Sequence, residues 1–93
     1  VVTATTASPT NPNGSINVSA NGALIGFCTE GSNAADFTWT NLTLDFSANN
    51  GVNAINYSGA SDTFSSAQSG RSVTCTPSSI GSVGTAMTLT AFR

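Results

Sequence analysis

Residues 15–20 alternate apolar with polar, Ile16 and Val18 sharing one side, which is the period-two signature of a half-buried strand. Asn21-Gly22 follows, a step that closes two-residue hairpins because both residues tolerate positive φ, so the pattern predicts a hairpin with a return strand over 23–29. In that return strand Leu24, Gly26 and Cys28 fall on one face and Ala23, Ile25 and Phe27 on the other. Apolar residues on both faces predict a central position in a sheet. A loop is expected over 30–35. Phe37 and Trp39 then share a face, while Leu42, Leu44 and Phe46 follow in the opposite phase. A period-two pattern changes phase only through an extra residue or a break, so a β-bulge or a switch between sheets is expected near Asn41.

Further along, 47–51 reads as a turn, 53–58 as a strand carrying Ile55 and Tyr57, and 63–67 as a short strand around Phe64. Residues 71–76 form a strand with Val73 and Cys75, 77–84 a loop, and 85–92 a closing strand with Met87, Leu89 and Ala91 inward. Nothing repeats at helical period. At the start, Val1 to Ala7 is β-branched and extended in character, and 8–14 holds Pro9, Pro12 and Asn13-Gly14, so residues 1–14 read as an N-terminal strand or arm plus a Pro-containing linker. The expectation is an all-β fold: one domain over residues 1–93, a small antiparallel β-sandwich of seven to eight short strands.

Composition narrows what such a domain can do. Ile, Leu, Val and Phe make up about a fifth of the 93 residues, enough for a thin core, and Ser, Thr, Asn and Gly make up about half. With only Arg71 and Arg93 as cations and no Lys or His, the chain has no basic surface for nucleic acid and no polybasic anchor for a membrane. No apolar run is long enough for a membrane-inserted helix. Cys28 and Cys75 are the only cysteines, most simply a disulfide in a small extracellular domain, with two buried thiols as the alternative. The chain begins at Val1 rather than Met, which fits removal of a secretory signal. A secreted, extracellular or cell-surface location is therefore expected.

Cys28, then Trp39, then Cys75 is similar to the order in which immunoglobulin-type sandwiches place an inter-sheet disulfide and the tryptophan packed on it. That resemblance implies an immunoglobulin-like arrangement of the strands. The chain departs from it at Val73, where a tyrosine would stand two residues before the second cysteine, and in a short interval between the cysteines.

Catalysis is not expected. Without His or Lys a serine or cysteine nucleophile lacks its usual base, and the acids Glu30, Asp36, Asp45 and Asp62 read as solvated turn residues, although Glu30 and Asp36 flank one loop. Isolated acids make no calcium site, two cysteines without His make no zinc site, and no cofactor motif is present.

The leading expectation is a secreted, non-enzymatic structural protein, a subunit of an extracellular fibre, pilus or surface coat assembling through β-strand addition. Few charges let identical copies pack closely, and Val1, Val2, Ala4 and Thr6 form the candidate assembly strand, to be weighed against a first strand that stays in its own sandwich. The alternative is a carbohydrate-binding or adhesion module in which Tyr57, Trp39 and Asn53 contact sugar. Trp39 has the competing reading of a core residue. Partners are thus self-association, another extracellular protein, or carbohydrate. Sequons at Asn13, Asn17, Asn41 and Asn56 are candidate glycosylation sites. Thr-x-Thr pairs at 38/40, 74/76 and 88/90 also permit an ice-facing surface, although ordinary strand propensity favours the same pattern.

Overall fold

The computed structural model describes residues 2–8, 11–81 and 83–93, the first of these segments as backbone. They form eight strands and no helix: β1 (Val2–Ser8), β2 (Asn13–Val18), β3 (Gly22–Gly31), β4 (Phe37–Thr40), β5 (Thr43–Ala48), β6 (Ile55–Phe64), β7 (Gln68–Pro77) and β8 (Gly84–Phe92). A five-stranded sheet ordered β1-β8-β3-β6-β5 packs on a three-stranded sheet ordered β2-β7-β4, with antiparallel pairing throughout. This is the disulfide-linked β-sandwich that the alternation predicts.

Five consecutive strands follow immunoglobulin order. With β3, β4, β5, β6 and β7 in the places of strands B, C, D, E and F, B pairs E, E pairs D, and C pairs F. The Cys28–Cys75 disulfide joins β3 to β7 across the sandwich, with Cα atoms 6.6 Å apart, and Trp39 stands on β4 opposite Cys75. The flanking strands depart from that order. β2 occupies the position of strand G beside β7, and β8 occupies the position of strand A beside β3.

That exchange overturns the expected hairpin. β2 and β3 belong to different sheets, and the chain passes between them in a turn closed by Gly22 N–H donating to Ser19 O at 3.0 Å, with Asn21 at φ 57°. A tight turn needs only a left-handed residue at its corner, and it does not oblige the flanking strands to pair. The phase slip near Asn41 is a switch between sheets: β4 lies in one and β5 in the other, and Asn41 turns the corner at φ 66°. A separate bulge lies between Leu44 and Phe46.

The core is thin and one-sided on each strand. Ile16 and Val18 from β2, Leu24 and Cys28 from β3, Phe37 and Trp39 from β4, Val73 and Cys75 from β7, and Met87, Leu89 and Ala91 from β8 are buried between the sheets. Of the strand expected over 63–67, residues 63–64 are the end of a continuous ten-residue β6, and 65–67 connect it to β7. β6 turns its polar residues inward. Asn56, Ser58 and Ala60 are its inward, buried side chains, whereas Ile55 and Tyr57 are exposed. Register explains this: Ser58 lies opposite Cys28, the disulfide points Cys28 inward, and residues directly opposite in a ladder share a face.

Candidate functional site

Two features of the five-stranded sheet stand out, one at its edge and one on its outer face. Unpaired strand edges invite pairing with other chains, and folded proteins blunt them with short strands, bulges, prolines and charges. Of the four edges formed by the described residues, β4 is only four residues long. β5 is bulged between Leu44 and Phe46 and carries Asp45 at the bulge. β2 is bulged between Ile16 and Val18 and follows Pro12. β1 differs from all three: seven residues, Val-Thr-Ala-Thr-Thr-Ala-Ser, without charge or proline, in unbroken register with β8 from Val2↔Ala91 to Ser8↔Thr85. Within one chain, then, Val2, Ala4 and Thr6 belong to a strand on their own β8, with the other side of β1 open. Val1 lies outside the described residues.

The outer face carries aromatic side chains where a solvated sheet normally carries polar ones. Phe27 on β3, Tyr57 on β6 and Phe46 on β5 are 45%, 38% and 48% exposed, with Ile25 and Ile55 beside them at 48% and 66%. Ring centroids of Phe27 and Tyr57 lie 6.2 Å apart with planes at 30°, and those of Phe46 and Tyr57 lie 6.3 Å apart at 70°. These separations are typical of aromatic pairs. Gly59 makes the cluster compact. It pairs with Phe27 on one side and Phe46 on the other, and a Cβ there would collide with the Phe46 ring, so that ring lies down on the sheet over the glycine backbone. The outward face of the three-stranded sheet contrasts: Thr38 lies opposite Thr76, Thr40 opposite Thr74, and Ser15 opposite Ser72.

Of the residues singled out for carbohydrate contact, Tyr57 is at the surface. Trp39 is not. Its indole is only 8% exposed, and Nε1 donates to the buried Ser58 Oγ at 2.9 Å, so it is a core residue and offers no stacking plate. Asn53 is exposed at φ 61°, and it lines a hollow of about 310 Å³ with Ser32, Ile55 and Val83 that does not include Tyr57. The sequons divide similarly. Asn13, Asn17 and Asn41 are exposed, on β2 or at the end of β4. Asn56 is fully buried, its Oδ1 accepting from Asn50 N–H at 2.7 Å and its Nδ2 donating to Asn33 O. A glycan cannot be attached there without unfolding the strand.

The acids do not converge into a catalytic pair. Asp36 is exposed, and Asp62 caps Thr43 by accepting from its N–H at 3.1 Å and its Oγ1 at 2.8 Å. Glu30 corrects the expectation of a solvated turn residue, being 1% exposed with Oε1 accepting from Gly81 N–H at 2.6 Å. It lies in an inward polar row across the sheet, Asn56–Glu30–Thr85. Among the described residues no group of three or more His, Cys, Asp or Glu side chains could hold a metal ion.

The row yields two substitutions of opposite sign. Glu30→Ala strips the Gly81 N–H of its carboxyl acceptor and is expected to cost about 3 kcal/mol. Thr85 Oγ1 is buried without a partner, so Thr85→Val, which keeps the shape and removes the orphan, is expected to be neutral or to stabilise by up to about 1 kcal/mol. Chemical denaturation of the two variants beside the parent measures both.

No protein-family model, curated protein or solved structure matches the chain.

Proposed function

We propose that this chain is a non-enzymatic structural subunit of an extracellular fibre, pilus or surface coat whose copies join by β-strand addition at β1. The observation that carries the reading is the contrast among the edges: three are shortened or bulged, and the fourth presents seven uncharged, β-branched-rich residues along an unpaired ladder. A second copy of β1, running antiparallel about a two-fold axis, is the partner that this edge fits, since the same residues then face each other from both sides; this contact joins copies in pairs, and a fibre or coat needs a further contact between the pairs. The inter-sheet disulfide is compatible with an oxidising, extracellular setting. A net charge of −2 over 93 residues offers little repulsion between copies.

Proline substitution tests this at single-residue resolution. Neighbouring residues in an antiparallel strand direct their N–H groups to opposite sides, so of Ala4→Pro and Thr5→Pro one removes a bond to β8 and the other removes a donor from the open edge. The second is expected to melt within about 1 kcal/mol of the parent, as proline is tolerated on an edge, yet to lose strand-mediated assembly by light scattering. The reading is wrong if the parent does not self-associate, or if neither proline changes its assembly.

The alternative, a carbohydrate-binding or adhesion module, draws on the exposure of Tyr57 between Phe27 and Phe46.

A further inference from the structure

We infer that the outer face of the five-stranded sheet is a second, separate self-association surface, on which an identical face of another copy packs sheet to sheet. This stands apart from strand addition, because it depends on side chains of β3, β5 and β6 and not on the edge of β1.

Three observations select a second copy as the occupant. The first is charge. Of the six charged residues, Glu30 is buried, Asp62 caps Thr43 on the inward register of β6, Asp45 sits in the edge bulge beside Phe46, Arg71 stacks on Phe64 with its Cζ 4.6 Å from the ring centroid, Asp36 precedes β4 and Arg93 follows β8. Asp45 is the one charge next to a ring of the cluster, at the sheet edge, so the centre of the face around Phe27 and Tyr57 meets its copy with little like-charge repulsion.

The second is size. Five strands about 4.8 Å apart, each showing about eight residues at about 3.4 Å, make a face on the order of 650 Å². A standard interface takes about 800 Å² from each partner. The face falls short of that size, which suits a weak, reversible dimer, and two sheets stacked at about 10 Å with strands within about 30° is an ordinary packing.

The third is chemistry. Sugar recognition asks for amide or charged groups beside a flat ring, and the cross-strand neighbours of the cluster are instead Gly59, Thr29 and Thr88. Two of the three rings are phenyl groups with no polar tip, and planes set at 30° and 70° to the tyrosine do not form one level platform for a row of sugars. Interdigitation with the same rings from a second copy suits tilted planes better.

If both surfaces operate, one copy carries two distinct isologous contacts, and alternating them generates an open chain of subunits in place of a closed dimer.

Sedimentation equilibrium tests the inference on the intact, disulfide-bonded chain. Ile25→Lys, and separately Phe27→Thr with Tyr57→Thr, are expected to weaken face association at least about tenfold, whereas Thr40→Lys on the opposite sheet leaves it unchanged. Threonine keeps strand propensity at exposed positions, and far-ultraviolet circular dichroism confirms that each variant is folded. In the β1 proline variant directed at the open edge, face-mediated dimers are expected to persist. Adding a face substitution to that variant is expected to leave monomers. The inference is overturned if the face variants associate as the parent does, if the edge-blocked variant is already monomeric, or if the parent's face proves to bind microcrystalline cellulose or chitin through Tyr57 with no self-association. A face result in either direction leaves the strand-addition reading to its own proline test.

Discussion

Replacing Cys28 and Cys75 together by alanine is expected to lower the stability of the domain by about 4 kcal/mol, measured by denaturant unfolding of the two proteins side by side. The bond closes a loop of 47 residues, and removing that constraint returns about 4 kcal/mol of conformational freedom to the unfolded chain in the chain-entropy treatment. For a chain of 93 residues, total stability on the order of 5–14 kcal/mol is typical. The loss is thus a large fraction of what holds the fold. Its structural effect is specific as well, because the bond ties β3, at the centre of the five-stranded sheet, to β7, at the centre of the three-stranded one. Each central strand carries its sheet's ladders, so the two layers are joined at their midpoints. A loss below about 1 kcal/mol would mean that the layers are held by packing alone.

The same bond accounts for what the sequence could and could not show. Cys28, Trp39 and Cys75 marked the inter-sheet joint because few arrangements bring two cysteines and a tryptophan together in that order, and the sheet switch at Asn41 was visible because a change of phase has only two physical causes. The partners of β2 and β8 were not visible. Asn21-Gly22 encodes a turn, but whether strands flanking a turn pair with each other or cross to opposite layers is decided by contacts far away in sequence, here β2 with β7 and β3 with β8.

The outer face was hidden for a related reason. Ile55 and Tyr57 are the apolar members of their segment, and burial of the apolar set is the default inference from alternation. The structure spends that inward row on Asn56 and Ser58, which are buried because each has its bonds supplied, and the aromatic set faces out. A clue lay in the sequence even so. A central strand apolar on both faces, as β3 is, needs a cover on each side, and the chain has too few large apolar residues to cover both. Tyr57 is legible from the sequence as a candidate surface aromatic, whereas alternation assigns Phe27 and Phe46 to strand faces without deciding which faces point outward. The open edge was half legible: 1–7 was recognised as a strand, but the devices that blunt the other edges, two of them bulges, exist only in the register.

Trp39→Ala is expected to cost about 4 kcal/mol, as much as the disulfide, and for reasons that couple the two sites. Truncating a buried tryptophan removes 3–5 kcal/mol of packing as a rule, and this ring fills a space that β3 leaves open for it. A Cβ at Gly26 would lie 2.7 Å from Trp39 Cζ3 and 3.1 Å from Leu42 Cδ1, so the indole rests on bare backbone next to the disulfide. Its polar end is also used. Nε1–H donates to Ser58 Oγ, and Ser58 Oγ–H donates to Phe46 O at 2.8 Å, a relay that runs from β4 through β6 to the edge strand β5 and so crosses between the sheets. Trp39→Phe keeps most of the ring volume but removes the N–H, and is expected to cost about 1–2 kcal/mol, the loss of one buried bond with partial repacking. The order alanine worse than phenylalanine, followed by circular dichroism because the substitutions remove the chain's one tryptophan, checks that packing outweighs the hydrogen bond. Trp39 and Cys75 are paired in register, so their effects should not add: with the cysteines already alanine, the layers are free to shift and close part of the space, and the tryptophan truncation should cost less by about 0.5–3 kcal/mol. Strict additivity in that cycle would show that ring and disulfide stabilise the sandwich independently, and the joint between the sheets would then have to be described as two separate contacts.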